Sequence, residues 1–274
     1  MTTNIPQHFD EAFLSWFQER TEEAWQRYKT KTFEEYVAGG IGGSAWQQGT
    51  RWLGGLSEEE IAVIEQRYDV RFPPDYRLFL RVLHSVDRPM VGARYVDAAT
   101  MVPVTTPSFY NWHSDTEIEA AYEWPFEGLF YDVQYNGLWP QTWGIKPRDT
   151  EAQKALLREL LHAAPRLIPV FGHRYLLAEP CAAGNPVLSI YQSDIIILCD
   201  DLHSYFLTEY GGLINAAGSG IRKTPEQREA YQTIPFWGEF ISQAVPSSLG
   251  QAQIRPLKRS WAILGLPGCP SLSR

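Results

Sequence analysis

Four short β-prone runs between residues 167 and 199 constrain the fold of this chain more than any other feature of its sequence. The runs are LIPVF, RYLLAEP, PVLSIYQ and DIIILC, and they are separated by Gly-His, Ala-Ala-Gly-Asn and Gln-Ser-Asp turns. Branched and aromatic residues are typical of strands, whereas Gly, Asn and Asp are typical of turns. Parallel strands need long crossover connections, which these turns are too short to provide. The pattern therefore predicts an antiparallel meander.

Helical patterns flank this meander. Ser57 and Glu60 have the spacing of a capping box, in which each side chain bonds to the other residue's backbone amide. Pro74 suits the first turn of the next helix. Residues 151–164 alternate apolar and polar side chains with a helical period and end before a proline. We therefore expect an α+β fold, an antiparallel meander sheet flanked by helices.

Other elements are predicted with the same rules. Residues 7–37 indicate one long helix or two short ones, and residues 93–107 indicate two extended pieces joined by a turn. Residues 115–134 predict a helix that breaks at Pro125, because proline cannot donate to the helical ladder. The helix after the meander is predicted to end with Gly211 as its capping glycine. Two short closing helices follow, TPEQREAYQ and PFWGEFI.

These elements suggest three parts of the chain. Residues 1–53 are predicted to form an N-terminal helical extension that ends in a Gly-rich linker. Within it, residues 38–55 contain GGIGG, but no Lys-Ser/Thr follows as a phosphate-binding loop requires, so we interpret the stretch as a flexible connection. Residues 54–241 form the main domain. Residues 242–274 are rich in Pro, Ser and Gly and are predicted to be a poorly ordered tail.

The net charge of the chain bears on its partners. The 274 residues carry a formal charge of −8, and the last 35 contain four basic and no acidic residues, so residues 1–239 carry −12. Such a body repels phosphate backbones and attracts basic macromolecules. The charge predicts a basic protein partner and no binding to nucleic acid.

Three observations predict a cytoplasmic protein. The three cysteines are odd in number and lack the spacing of a zinc site or a disulfide framework. The N-terminus lacks the basic and apolar regions of a secretory signal. The longest apolar run, Ile195–Cys199, is too short to span a bilayer. We expect no membrane association.

The stretch CDDLHSYFLTEY raises the question of a metal or acid–base site. It brings Asp200, Asp201, His203 and Glu209 into ten residues directly after a buried strand. Adjacent aspartates at a helix start point about 100° apart, and His203 and Glu209 are six residues apart, which is not one helical face. An aspartate that caps the helix N-terminus explains the cluster better than metal chemistry does. A metal-dependent hydrolase that uses Asp200, Asp201 and His203 stays as the less favoured alternative.

No other motif indicates chemistry. The histidines lack metal-ligand spacing, there is no Gly-x-Ser-x-Gly elbow, and Cys199 at the end of an apolar strand is interpreted as a buried, inert thiol. We therefore predict a protein that is not an enzyme, with no catalytic residue, no metal ligand and no cofactor. Aromatic residues make up 14% of the chain and suit both cores and interfaces. The candidate partner-binding residues are Trp112, Trp124, Trp139, Trp143, Asp200 and Asp201.

Two blocks of the sequence resemble a known family. The first is GLSEEEIAVIEQRYDVRFPPDYRLFL, and the second is LIPVFGHRYLLAEP followed by GNPVLSIYQSDIIILCDDLHSYFLTEY. Their order and spacing resemble the SUKH superfamily, which includes Smi/Knr-type regulators of fungal cell-wall assembly and bacterial immunity proteins of polymorphic toxin systems. The resemblance covers residues 54–240. It implies an α+β sheet with helices packed around it and a function through protein–protein contact.

The resemblance and the charge together lead to two hypotheses about a binding protein. The first is an immunity protein that neutralises a cognate toxin by direct binding, with a basic toxin domain as the partner. The second is a regulatory scaffold of the Smi/Knr type that organises several partners.

Overall fold

The structure is a computed structural model that describes residues 5–216 and 224–241. Its helices are α1 (Glu11–Arg27), α2 (Phe33–Gly39), α3 (Glu58–Arg67), α4 (Pro74–Val82), α5 (Asp115–Tyr135), α6 (Thr150–Ala163), α7 (Leu202–Ile214), α8 (Pro225–Gln232) and α9 (Trp237–Ile241), with a 3-10 turn at Gln141–Trp143. Its strands are β1 (Gly43–Ala45), β2 (Met90–Tyr95), β3 (Met101–Thr106), β4 (Leu167–Phe171), β5 (Arg174–Leu177), β6 (Val187–Tyr191) and β7 (Asp194–Cys199). The predicted α+β class is confirmed.

The predicted meander is a four-stranded antiparallel sheet with the order β4-β5-β6-β7. Leu176 of β5 lies opposite Ile168 of β4 and Val187 of β6. Gly172 and Gln192 have φ of +51° and +57° in the two tight turns of this sheet. A left-handed residue at each turn allows the chain to reverse over two or three residues.

Both faces of this sheet are buried. Ile168, Leu176 and Val187 belong to the larger core, which also contains side chains of α1, α3, α4 and α7. Tyr175 and Leu188, which alternate with them along the strands, belong to a second core with side chains of α5, α6 and α9. Because successive strand residues point to opposite faces, burial of both faces explains why these strands are almost continuously apolar.

A second, three-stranded antiparallel sheet has the order β1-β2-β3. Its strand β1 lies inside residues 38–55, and Trp46 and Trp52 after it are buried. Gly43 pairs with β2 so closely that a Cβ added at Gly92 would lie 1.8 Å from the Gly43 carbonyl oxygen. The prediction of a flexible connection is therefore wrong, because pairing with residues 50 positions away and the burial of two indoles hold this segment in place.

The N-terminal helices belong to the body of the protein. Phe13, Phe17 and Trp25 of α1 are fully buried in the larger core. The ring centroid of Phe17 lies 4.8 Å from that of Phe206 on α7. The boundary predicted after residue 53 therefore does not separate two cores. The aromatic pattern of residues 7–37 corresponds to two helices, α1 and α2.

Helix α5 does not break at Pro125, so that prediction is wrong. The helix runs without interruption from Asp115 to Tyr135 with the proline inside it. Pro125 lacks the amide that would bond to the Ala121 carbonyl. The hydroxyl of Tyr175 donates to this carbonyl instead, at 2.7 Å. A donor from the sheet thus replaces the missing donor of the helix.

Helix α7 continues past Gly211, which was predicted to be its capping glycine. It ends at Ile214, and Asn215 adopts the left-handed conformation at the C-cap, with φ of +53°. Ile214 is buried in the larger core, so the additional turn is stabilised by apolar contact. The two closing helices are confirmed as α8 and α9, whereas the predicted tail, residues 242–274, lies outside the described residues.

No helix in the described part of the chain is both long enough and apolar enough to cross a membrane.

Candidate functional site

The two aspartates of the acidic stretch have separate structural partners. Asp201 is the N-cap of α7, and its Oδ1 accepts from the backbone amide of Ser204 at 2.7 Å. The predicted capping role of this acid pair is therefore confirmed, with Asp201 as the cap. Asp200 accepts from the hydroxyl of Tyr231 at 2.9 Å, which ties the start of α7 to α8. Both residues are half-buried, and their role in partner binding stays a prediction.

The other two members of the stretch lie elsewhere. Nε2 of His203 lies 3.1 Å from the carbonyl oxygen of Pro6. Glu209 faces Arg174 of β5, with 3.8 Å between the charged atoms. Among the described residues, no group of three or more His, Cys, Asp or Glu side chains is placed to hold a metal ion. The tertiary structure does not bring Asp200, Asp201 and His203 to a common point.

The interpretation of Cys199 as a buried thiol is confirmed. Its side chain is buried where β7 meets α7, and burial raises the pKa of the thiol to about 11. A thiol with a raised pKa is protonated at neutral pH, and the protonated form is a poor nucleophile.

Two of the four candidate tryptophans are core residues. Trp112 is 1% exposed, and its Nε1 donates to the hydroxyl of Tyr76 at 2.9 Å. Trp143 is 6% exposed and stacks on Phe236. A buried indole offers no surface to a partner, so the prediction that Trp112 and Trp143 bind a partner is wrong.

The other two tryptophans are half-buried and fixed by hydrogen bonds. Nε1 of Trp124 donates to the carbonyl of Ile190 at 3.0 Å, which fastens α5 to β6. Nε1 of Trp139 donates to the carbonyl of Gly144 at 2.9 Å. Trp139 lies in the loop after α5, which also carries the most exposed large apolar side chain of the described residues.

An exposed stripe of carboxylates and tyrosines runs along α5. We call it the α5 stripe; its members are Glu119, Glu123, Glu127, Tyr131 and Tyr135. Residues four positions apart are neighbours on a helix, and the Tyr131 and Tyr135 rings are 4.8 Å apart. The three carboxylates are exposed, and Tyr135 is 69% exposed. The stripe rises about 24 Å along the helix, at 1.5 Å per residue, and it winds about 40° around the helix at each step of four residues, so that Tyr135 lies about 160° around the axis from Glu119.

The loop of residues 136–149 extends this surface beyond the end of α5. Nζ of Lys146 donates to the carbonyl of Val133 at 3.0 Å, so the loop lies against the last turn of the helix. Trp143 anchors the loop in the second core. Ile145, two residues later, is 95% exposed. The loop is thus fixed to the second core by Trp143 and exposes the aliphatic side chain of Ile145. Functional loops are typically held in place by a rigid scaffold in this way.

The electrostatics of the α5 stripe are dominated by carboxylates. Glu123 forms a forked pair with Arg158, with both contacts at 3.0 Å. Within the described ranges, Glu119 and Glu127 have no ion-pair partner within 4.0 Å. Exposed carboxylates beside exposed rings can bind a surface that combines basic and apolar side chains.

The sequence contained part of this signal. The spacing of Glu119, Glu123 and Glu127 is visible in the sequence and indicates an acidic helix face. The exposure of Tyr135 and Ile145 has no such signal, because apolar side chains are expected to be buried.

Comparisons with known protein families, with curated proteins and with solved structures find no match to this chain.

Proposed function

We propose that this protein is a non-enzymatic binding module, an immunity protein of the SUKH type that neutralises a basic toxin domain by direct contact in the cytoplasm. The observation that carries the proposal is the exposure of Tyr135 and Ile145, at and just after the C-terminal end of a helix that carries three exposed carboxylates, Glu119, Glu123 and Glu127. The resemblance of residues 54–240 to SUKH proteins supports the same function.

The apolar side chains would supply affinity. Complete burial of a large apolar side chain contributes about 1.5–3 kcal/mol. The loss of side-chain entropy on binding is smaller when the supporting backbone is already ordered. Trp143 anchors the loop that carries Ile145, and Tyr135 contacts Tyr131 on a helix. Tyr135 and Ile145 therefore have the properties of hot-spot residues.

The negative charge would raise the association rate with a basic partner and the selectivity for it. Residues 1–239 carry −12, and Glu119 and Glu127 project their carboxylates without an ion-pair partner among the described residues. Such a field accelerates the encounter with a basic protein and disfavours nucleic acid and acidic proteins. The acceleration falls as salt screens the field.

The test first identifies a toxin gene beside the gene for this protein, and the toxic domain of its product then serves as the binding partner. We expect Glu119→Lys with Glu127→Lys to reduce the association rate constant by about tenfold at low salt. Tyr135→Ala with Ile145→Ala should instead raise the dissociation rate constant by at least about tenfold. Surface plasmon resonance at two salt concentrations separates the two effects.

Matched controls are available on other elements. Ile41 is 73% exposed and Val63 is 57% exposed, and both lie away from α5 in the sequence. Ile41→Ala and Val63→Ala should leave both rate constants unchanged. Equal effects of the control and α5 variants, or no association with the toxic domain, would reject the proposal.

A further inference from the structure

A cleft of about 370 Å³ opens between α5, α6 and the start of β4. It borders the α5 stripe only at Glu123 and contains neither Tyr135 nor Ile145. Aromatic rings dominate its walls: Tyr68, Tyr122, Phe126, Tyr175 and Trp237. Its volume is near the lower end of the range of small-molecule sites, about 300–1,000 Å³.

The polar atoms of the cleft floor are satisfied within the protein. The hydroxyl of Tyr175 donates to the Ala121 carbonyl, and Nε1 of Trp237 donates to the Pro165 carbonyl at 2.9 Å. Tyr175 is fully buried and Trp237 is 2% exposed, so these two residues close the floor of the cleft and offer almost no surface to a ligand. The hydroxyl of Tyr122 is different, because it is buried and has no hydrogen-bond partner among the described residues. Buried polar atoms in proteins usually have a partner, which can be a water or a ligand.

The rim of the cleft carries two guanidinium groups, Arg158 and Arg166, and one carboxylate, Glu123. Arg158 is fixed, because it forks onto Glu123 and lies 3.8 Å above the centroid of the Phe126 ring. The charges of Arg158 and Glu123 therefore balance each other, which leaves Arg166 as the charged group of the lining that is not paired within the lining.

Arg166 is the guanidinium that a ligand can recruit. Its pairing within the protein is with Asp69, at 3.0 Å, and the Asp69 side chain is 92% exposed. Exposed ion pairs are weak because water competes with both partners. A carboxylate held by an aromatic group in the cleft would be shielded from water and would bind the guanidinium more strongly than Asp69 does.

We propose that this cleft is a binding site for a small organic anion with an aromatic body, whose ring packs against the half-buried rings of Tyr68 and Tyr122 and whose carboxylate pairs with Arg166. The proposal does not depend on the proposed function, since the partner-binding variants Glu119→Lys, Glu127→Lys, Tyr135→Ala and Ile145→Ala leave the cleft lining unchanged.

The probes are indole-3-propionate, its neutral amide and tryptamine, measured by isothermal titration calorimetry on the full chain. We expect the carboxylate to bind at least about tenfold more tightly than the amide, as a charge-assisted hydrogen bond predicts. Tryptamine should bind most weakly, because its ammonium cannot accept a hydrogen bond from Arg166 and is repelled by this guanidinium. Arg166→Gln should reduce the affinity for the carboxylate to that for the amide.

Two further variants strengthen the test. Asp69→Asn removes the competing carboxylate and should tighten the binding of indole-3-propionate several-fold, so the proposal stays falsifiable if Arg166→Gln does not fold. Arg148→Gln, at an exposed arginine outside the cleft, should have no effect. Equal affinities for acid and amide, or full affinity of a folded Arg166→Gln protein, would overturn the proposal.

Discussion

At the residue scale, Asp201 shows how one side chain defines the start of a helix. The first amides of a helix have no partner within the helix, and the Asp201 carboxylate satisfies the amide of Ser204. The carboxylate also lies at the positive end of the helix dipole, which stabilises it further. A hydroxyl in the same place can accept the same hydrogen bond.

This role leads to a prediction that separates capping from metal binding. Asp201→Ala should lower the free energy of unfolding by about 1 kcal/mol, whereas Asp201→Ser should retain most of it. Urea denaturation measures both. A metal site at this carboxylate predicts instead that Ser and Ala are equally harmful and that Mg²⁺, Mn²⁺ or Zn²⁺ stabilises only the unaltered protein.

His84 is a second residue whose role is set by burial. It is 2% exposed, and its Nε2 accepts from the backbone amide of Trp112 at 3.0 Å, which requires a neutral ring. Burial, together with the nearby His113, lowers the pKa of His84 to about 4. The folded protein therefore binds a proton at His84 less readily than the unfolded chain does, for which the usual value is about 6.5.

The pH dependence of stability follows from this difference. As the pH falls below about 6.5, the unfolded chain gains a proton at this position that the folded protein does not, so stability is lost down to about pH 4. We compare the unaltered protein with His84→Asn, because asparagine tolerates the left-handed backbone (φ of +60°) of this position. The unaltered protein should lose about 2 kcal/mol more between pH 7 and pH 5.

Guanidinium denaturation at the two pH values measures this loss. The other titrating groups are present in both proteins, so their contributions cancel in the comparison. Identical losses in the two proteins would show that His84 is not the group responsible.

At the element scale, α5 tolerates an internal proline because the sheet supplies the missing donor. The Ala121 carbonyl, which faces Pro125 in the helical ladder, accepts from the hydroxyl of Tyr175 on β5. Tyr175 is fully buried, so water does not reach its hydroxyl group. Without this donor, the Ala121 carbonyl would have no water beside the ring to bond to. This hydrogen bond therefore couples α5 to the sheet at the position of the proline, in addition to the bond from Trp124 to Ile190.

A double-mutant cycle tests this coupling. Tyr175→Phe should cost about 1–3 kcal/mol of unfolding free energy, because it leaves the Ala121 carbonyl unsatisfied. In a Pro125→Ala background the backbone amide restored at position 125 can donate to that carbonyl, so the same change should cost about 1 kcal/mol less. Additive effects of the two substitutions would contradict the coupling.

At the scale of the whole molecule, both cores share one sheet, and α1 is built into the larger core. Phe17 of α1 contacts Phe206 of α7, and α7 packs on β7 at the edge of the sheet. Contacts of this kind predict that residues 11–27 and the four-stranded sheet unfold in one cooperative transition.

Phe17→Ala tests this prediction, with Glu19→Ala as the matched control on an exposed position of the same helix. The core substitution should cost about 3–5 kcal/mol, and the control should stay within about 0.5 kcal/mol. Near-UV and far-UV circular dichroism should report the same midpoint in each protein. A separate early transition in Phe17→Ala would show that α1 unfolds independently.

The sequence alone predicted the elements whose signals are local. The meander followed from apolar, β-prone runs separated by turn residues. The caps followed from side chains that reach amides three residues away: Ser57 was predicted directly, and the helix after β7 was predicted to be capped by an aspartate, which the structure shows to be Asp201. These interactions span only a few residues, so a short stretch of sequence is enough to predict them. The acidic spacing along α5 is a local signal of the same kind.

The tertiary structure decided what depends on contacts between distant residues. Strand β1 exists because Gly43 pairs with Ala93, and α5 stays continuous through Pro125 because Tyr175 is present. Trp112 is buried and Ile145 is exposed for the same reason, since burial depends on which distant surfaces close over a side chain. No local pattern contains that information, because it arises only when the two cores assemble on the sheet.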